Sequence, residues 1–394
     1  MRLVFKHGKI VGNIFYFSEI IKKFEKENPQ IKILDEILPS ATDSQHQFYI
    51  INLEGKTSNL DVIALDVIWV PEFSHAGWIR DLSHLIPEEE REIFFPCTVE
   101  ANTYKGRLYA IPWYIDTGVL YYRKDLLDRY GYLPPKTWEE LIQISQYILK
   151  KEKDENLKGF IWQGKQYEGL ICNALEYIWG NNGEIIKENN ALINSKENIK
   201  ALKFMRDLIY KYKVSPSLVT NCDEEATRHI FGNGNAIFMR NWPYAWNLFQ
   251  EEGSKVRGKI GISPLPSFKN GKSSSTLGGW QLAINKYSRY PEESERFIKY
   301  MISPETQKFM AINVGYKPTR MILYQDEELK RKQPFIAGLF DILKNSKPRP
   351  VTPYYMMISQ VLQSEISSVI SGIKSPEEAL NYCEKQINFI LGKV

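Results

Sequence analysis

The first 65 residues change hydrophobic period twice, and that switching constrains the fold more than any other feature of the chain. Residues 3–5 and 31–37 have the apolar, β-branched look of strands. Between them Ile20, Ile21 and Phe24 recur at helical spacing, and Asn28-Pro29 closes the helix. Val62-Ile63-Ala64-Leu65 is a further short strand, bounded by Asp61 and Asp66. Alternation of strand, helix and strand marks an α/β layer. A chain of 394 residues exceeds one simple core, so two domains or lobes are expected.

Helix starts are legible further on. Thr137 with Glu140, and Ser375-Pro376 with Glu378, have the spacing of capping boxes, in which the hydroxyl accepts from the backbone while the carboxylate reaches back. Ser303-Pro304-Glu305 is a looser version. Leu141, Ile144, Ser145 and Ile148 share one helix face, as do Leu380, Cys383, Ile387 and Ile390; both stripes read as core. Residues 264–275 are rich in Pro, Gly, Ser and Lys and read as an exposed loop. A strand is expected over residues 280–284, then another α/β stretch to about Pro318. So late a return of strand pattern suggests that the chain crosses back to its first lobe.

Charge and composition narrow the function. Lys and Arg number 51 against 47 acids, a net charge of +4, and the charges are interspersed, so no nucleic-acid footprint is present. No run approaches the roughly 18 apolar residues that span a bilayer. The N-terminal Met1-Arg2-Leu3-Val4-Phe5-Lys6-His7-Gly8 lacks the pattern of a secretory signal, so either the protein is cytoplasmic or a leader has been removed. Cys97, Cys172, Cys222 and Cys383 are widely spaced, which excludes a compact zinc or redox motif. They read as buried thiols, with a Cys172–Cys222 disulfide as the alternative.

Catalytic signatures are scarce. The five histidines form no metal-ligand pair, no nucleophile elbow or phosphate-binding loop occurs, and residues 232–237 begin like a dinucleotide loop but read as a turn. No cofactor and no metal are expected. Asp66, Asp116, Glu168 and Glu176 lie near aromatic clusters, and a glycoside hydrolase would need two such carboxylates at a fixed separation. Carboxylates also bind sugar hydroxyls without reaction.

Aromatics make up 13% of the chain, with 23 Tyr and 9 Trp, enough to supply a binding surface as well as a core. Asn241-Trp242-Pro243-Tyr244-Ala245-Trp246 and Leu277-Gly278-Gly279-Trp280-Gln281 each set a Trp in a polar, loop-like context beside Pro or Gly. A rigid ring next to amides and carboxylates suits a sugar, whose C–H face packs on the ring while its hydroxyls bond at the edge.

Several blocks resemble the extracellular solute-binding proteins of ABC sugar importers, in the trehalose/maltose-binding branch. They run almost end to end: Phe24-Glu25-Lys26-Glu27-Asn28-Pro29, Asp66-Val67-Ile68-Trp69, Glu72-Phe73 with Ala76-Gly77-Trp78, Tyr109 through Gly118, Leu120 through Leu127, Gln166-Tyr167-Glu168-Gly169-Leu170, Phe238 through Tyr244, Leu277 through Gln281, and Arg349-Pro350. The resemblance implies a two-lobed α/β fold of the periplasmic-binding-protein kind (type II), with ligand in a cleft that closes by hinge motion. It implies an α-linked disaccharide ligand of the trehalose, maltose or sucrose type and a membrane permease as partner. It further implies a monomer and a periplasmic or cell-surface lipoprotein location. Another polyol or oligosaccharide, or a glycerophosphodiester, is the alternative solute. Expected boundaries are 1–117 and 282–318 for lobe 1, and 118–281 and 319–394 for lobe 2, with crossovers near Thr117-Gly118, Leu282 and Pro318-Thr319. In the loop Ser40-Ala41-Thr42-Asp43-Ser44-Gln45-His46-Gln47 the family often has Arg near His46. His there would make a weaker or pH-dependent bond to a sugar hydroxyl.

The expected ligand set follows. Trp280 is placed by Gly278 and Gly279, which let the chain approach a ligand closely; the alternative is a ring packed under a turn. Trp242 either stacks on sugar or is fixed by Pro243 as a core ring. Asp116 interrupts an aromatic run and would accept hydroxyl donors, or else cap a turn. Tyr114 shares its face by strand alternation. Asp66 ends a strand where an α/β lobe opens, or caps the next turn. Arg349, between Pro348 and Pro350, would fork to vicinal hydroxyls, or lie on the surface. Thr42 and Glu19 sit where the family's first-lobe loops meet the sugar, although Glu19 could simply face solvent on the first helix.

Overall fold

Phe17, Ile20, Ile21 and Phe24 line the buried face of a helix that starts where the Asn13 side chain accepts from the Phe15 amide. This face packs on a sheet whose first strand inserts Leu3 and Phe5 into the same core, with Phe5 edge-on to Trp113 at 5.7 Å and to Phe297 at 5.3 Å. The computed structural model describes residues 1–39, 42–187 and 190–393. Two sheets among them are built from β1 (Arg2–His7), β2 (Lys32–Ile37), β3 (Val62–Asp66), β4 (Ile111–Thr117), β5 (Val119–Arg123), β6 (Lys158–Ile161), β7 (Ala236–Asn241), β8 (Ile260–Ser263) and β9 (Leu277–Ile284). The helices used below are α1 (Ile14–Glu27), α2 (Thr42–Glu54), α3 (Trp138–Glu152), α4 (Glu168–Gly180), α5 (Glu224–Gly232), α6 (Pro304–Asn313), α7 (Tyr355–Ile370) and α8 (Pro376–Ile390).

The chain divides into two compact units. Unit 1 comprises Met1–Asp116, Leu277–Lys344 and Pro350–Tyr355; unit 2 comprises Thr117–Thr276, Asn345–Arg349 and Met356–Val394. The sheet of unit 1 has the order β2-β1-β3-β9-β4, with β1 parallel to β2 and β3, and β9 antiparallel to β3. In unit 2 the order is β8-β5-β7-β6, where β7 is antiparallel to β5 and parallel to β6. Trp138 stacks on Tyr177 at 4.6 Å in its core, and Phe268 joins them. Phe268 and Leu265 are buried, so the segment expected to be an exposed loop is pinned at two points.

The capping boxes at Thr137 and Ser375 both form, at the heads of α3 and α8. The lobe boundary expected at Pro318 is corrected to Lys344. Gln307 on α6 donates to the Thr319 hydroxyl (2.6 Å) and accepts from the Thr319 amide (3.0 Å), and that hydroxyl bonds the Pro112 carbonyl, so the segment stays in unit 1. The expected crossover near Leu282 moves to residues 276–277, because Leu282 lies within β9, opposite Ala64. All four cysteines are buried and free, so the Cys172–Cys222 bond is absent.

Candidate functional site

In unit 1 the chemistry gathers on two neighbouring strand ends. Trp280 on β9 is the register partner of Asp66, the last residue of β3. The half-buried indole meets the buried Trp69 edge to face, with centroids 5.6 Å apart at 89°. Asp66 keeps its carboxylate partly exposed and accepts from the Ile68 amide at 3.3 Å, so it also stabilises the following turn.

On β4, Tyr114 and Asp116 are the two half-exposed positions, two residues apart and therefore on one face. Tyr114 stacks on Tyr316 at 4.0 Å and 26°. Burial holds the Tyr114 phenol well above its usual range, and Tyr316, Asp116 and Asp66 add to that. Tyr316 is itself pushed up to about 12 by burial, and its hydroxyl accepts from the Val11 amide at 3.1 Å.

Gly279 is what lets β9 lie so close to β4. Its φ is +103°, and a Cβ there would sit 2.3 Å from the Tyr114 carbonyl oxygen and 2.9 Å from the Ile115 Cα. The close approach seen here is to the neighbouring strand, and Gly278 is buried. Beneath this face, Lys317 bridges to Ile115, donates to the Gly315 carbonyl at 2.8 Å and lies over the Phe335 ring. Burial pushes Lys317 down to about 8, while the Asp116 charge works in the opposite sense.

The other first-lobe candidates have local partners. Glu19, on the outer side of α1, pairs with Lys22 at 2.9 Å. Thr42 opens α2 and is half exposed; Ser40 and Ala41, in the same loop, lie outside the described residues. His46 is buried, hydrogen-bonds Glu72 at 2.7 Å and packs on Trp69 and Phe73. It is therefore engaged within the unit rather than held out toward a hydroxyl.

In unit 2, Trp242 follows β7 and is half buried. The Arg240 guanidinium lies 4.0 Å above its ring, and its Nε1 donates to Glu224 Oε1 at 3.3 Å. The other Glu224 oxygen accepts from the Tyr167 hydroxyl at 2.7 Å. Tyr244 donates to Glu225 at 2.8 Å. Arg240 is buried and bonds Glu176 with two parallel contacts, 2.5 and 2.9 Å. Burial works against the Arg240 charge, but Glu176 outweighs it and raises the guanidinium further; burial lifts the Glu176 carboxyl against the pull of Arg240.

Arg349 lies beside a buried carboxylate of its own unit. It is 5% exposed and donates to Glu168 Oε1 at 2.9 Å, while Ser359 on α7 bonds the other Glu168 oxygen. Glu168 and Glu176, two of the four carboxylates weighed for catalysis, are thus both consumed in buried ion pairs. Sequence reasoning missed Glu224 and Tyr316, since an acidic residue at a helix start and a Tyr before Lys-Pro carry ordinary structural readings. Among the described residues no group of three or more His, Cys, Asp or Glu could hold a metal ion, and no helix is long and apolar enough to cross a membrane.

A two-lobed α/β frame carrying aromatic rings beside carboxylates, with Glu168 and Glu176 locked in buried ion pairs, defines a solute-binding protein of the periplasmic-binding-protein-like fold. The chain belongs to the bacterial extracellular solute-binding protein family, which it matches over residues 16–308. A probable ABC transporter-binding protein of Deinococcus radiodurans is 39% identical over 364 residues, covering 90% of this chain and 86% of that protein. Maltose-bound MalE3 of T. maritima superposes with a TM-score of 0.92 at 38% identity, covering 99% of both chains. A maltotriose-binding protein of Pyrococcus abyssi is 24% identical over 385 residues, 96% of this chain and 79% of that protein. These relatives and structural neighbours are binding proteins, not enzymes.

Proposed function

We propose that the chain is the extracytoplasmic binding component of an ABC sugar importer and takes an α-linked disaccharide of the maltose, trehalose or sucrose type. The observation that carries the reading is the face of unit 1 on which Trp280 lies opposite Asp66, with Tyr114 and Asp116 on a neighbouring strand. A pyranose packs its C–H face on the indole and donates its hydroxyls to the carboxylates. Trp242 offers a second ring from unit 2, and Thr42 and Glu19 are further polar contacts in this reading. The same sugar engages both units, so it favours whichever conformation lets both touch it, and that conformation is the one a permease recognises. The protein acts as a monomer at the periplasmic or cell surface, anchored there as a lipoprotein. Support comes from the similarity to MalE3, a maltose-bound protein, over almost the whole chain.

A thermal-melting screen over maltose, trehalose and sucrose tests this. Free ligand at about 100 times its Kd adds roughly 2.7 kcal/mol of stability. A clear upward shift with one of the three is expected. Flat melting curves for all three defeat the disaccharide reading. A shift confined to maltotriose, the sugar in the name of the Pyrococcus relative, moves the specificity to a longer glucan.

A further inference from the structure

Trp242 is fixed from several sides, all within unit 2. Its back face is covered by Arg240, which cannot swing away because Glu176 holds it through two bonds. Glu176 is braced in turn by the Thr276 amide at 3.2 Å. The main chain of Trp242 is tied at both ends: its amide donates to Asn241 Oδ1 at 2.8 Å, and its carbonyl accepts from the Tyr121 hydroxyl at 2.9 Å. The indole edge is held by Glu224, which also gathers the Tyr167 hydroxyl. Glu224 is itself built in, because its carbonyl accepts from Asn241 Nδ2 at 3.1 Å and from the Thr227 hydroxyl at 2.9 Å.

We infer that Glu224 is the positioning residue of the unit 2 binding surface: its carboxylate locks the Trp242 indole and the Tyr167 phenol in one arrangement, leaving a sugar the ring face opposite Arg240. The inference rests on the proposed sugar-binding function and concerns the same site. An indole turns about two side-chain torsions, and stacking on a ring that must first be ordered is weaker than stacking on one already held. Glu224 supplies that order through a charge-assisted acceptor for the indole N–H.

The experiment is a double-mutant cycle read by titration calorimetry with the disaccharide that gives the largest melting shift. It compares wild type, E224A, E224Q, W242A and the E224A/W242A double variant. E224A is expected to weaken binding by about tenfold, the scale of one lost pre-ordering contact. E224Q should recover part of that loss, because the amide oxygen still accepts the indole N–H. In the W242A background, removal of Glu224 should cost little more, since its effect runs through the ring. An undiminished E224A loss in that background overturns the inference, as does E224A binding equal to wild type. Should E224A fail to fold, E224Q and its cycle with W242A decide by the same criteria. A folded wild type that binds none of the sugars overturns the proposed function and this inference with it. A wild type that binds with an additive cycle overturns this inference alone.

Discussion

Asp66 and Trp280 face each other as register partners on antiparallel strands β3 and β9. A carboxylate and an indole at that spacing give a saccharide both things it needs, an acceptor for hydroxyls and a flat apolar floor. Replacing Trp280 with Ala should weaken disaccharide binding by about 30-fold, the cost of a buried aromatic anchor of about 2 kcal/mol. Titration calorimetry on protein with wild-type circular dichroism measures it. Binding within twofold of wild type would remove Trp280 from the ligand surface.

Gly279 is the position where a small change should do the most structural harm. Gly279→Ala combines a positive φ with a Cβ 2.3 Å from the Tyr114 carbonyl. The strained backbone alone costs roughly 1–3 kcal/mol, and the displaced strand adds to it. Urea unfolding should show the midpoint falling, and sugar affinity should fall as well, because Tyr114 and Asp116 move with the strand.

The buried Arg349–Glu168 pair separates a structural role from a ligand role. Arg349→Met leaves Glu168 buried without its counter-charge and should cost about 3–5 kcal/mol of stability. The double variant Arg349→Met with Glu168→Gln should recover much of that loss and bind sugar within a few-fold of wild type. If the double variant is stable yet loses affinity by two orders of magnitude, Arg349 touches the ligand after all.

Lys317 predicts a pH dependence. Its folded value sits near 8, below the 10.5 of an ordinary lysine, so between those values the unfolded chain holds a proton that the folded chain has released. Stability therefore rises with pH through that window, because the cost of burying the charge is full below 8 and relieved above it, with a slope of up to about 1.4 kcal/mol per unit. Urea midpoints of wild type and Lys317→Met should converge as pH increases from 7.5 to 10. Parallel lines would show that Lys317 is not the group responsible.

What the sequence revealed was local in origin. The capping boxes at Thr137 and Ser375 need residues only three apart, and the strand carrying Trp280 announces itself in its apolar run. Misreadings came where the deciding partner is far along the chain. Pro318-Thr319 looks like a linker until Gln307 is seen to hold the Thr319 amide and hydroxyl. Arg349, on a stiff segment between two prolines, reads as a ligand contact, and only the fold brings Glu168 against it. Glu224 reads as an acidic first turn of a helix, which it also is, and only the fold brings Trp242 and Tyr167 to it. The tolerance of Gly279 for positive φ was legible, but the neighbour it accommodates was not.

Strand β9 sits between β3 and β4 in its sheet although both of those are synthesised long before it. During synthesis the amino-terminal 116 residues must wait with the hydrogen-bonding edge of β3 unfilled. Every strand of the other sheet lies between residues 119 and 263, so that sheet can pair before β9 is made, while its unit still awaits residues 345–349 and 356–394. Truncation upstream of β9 would therefore leave the sheet of unit 1 split between β3 and β4, a sticky, unsealed fragment for chaperones to shield.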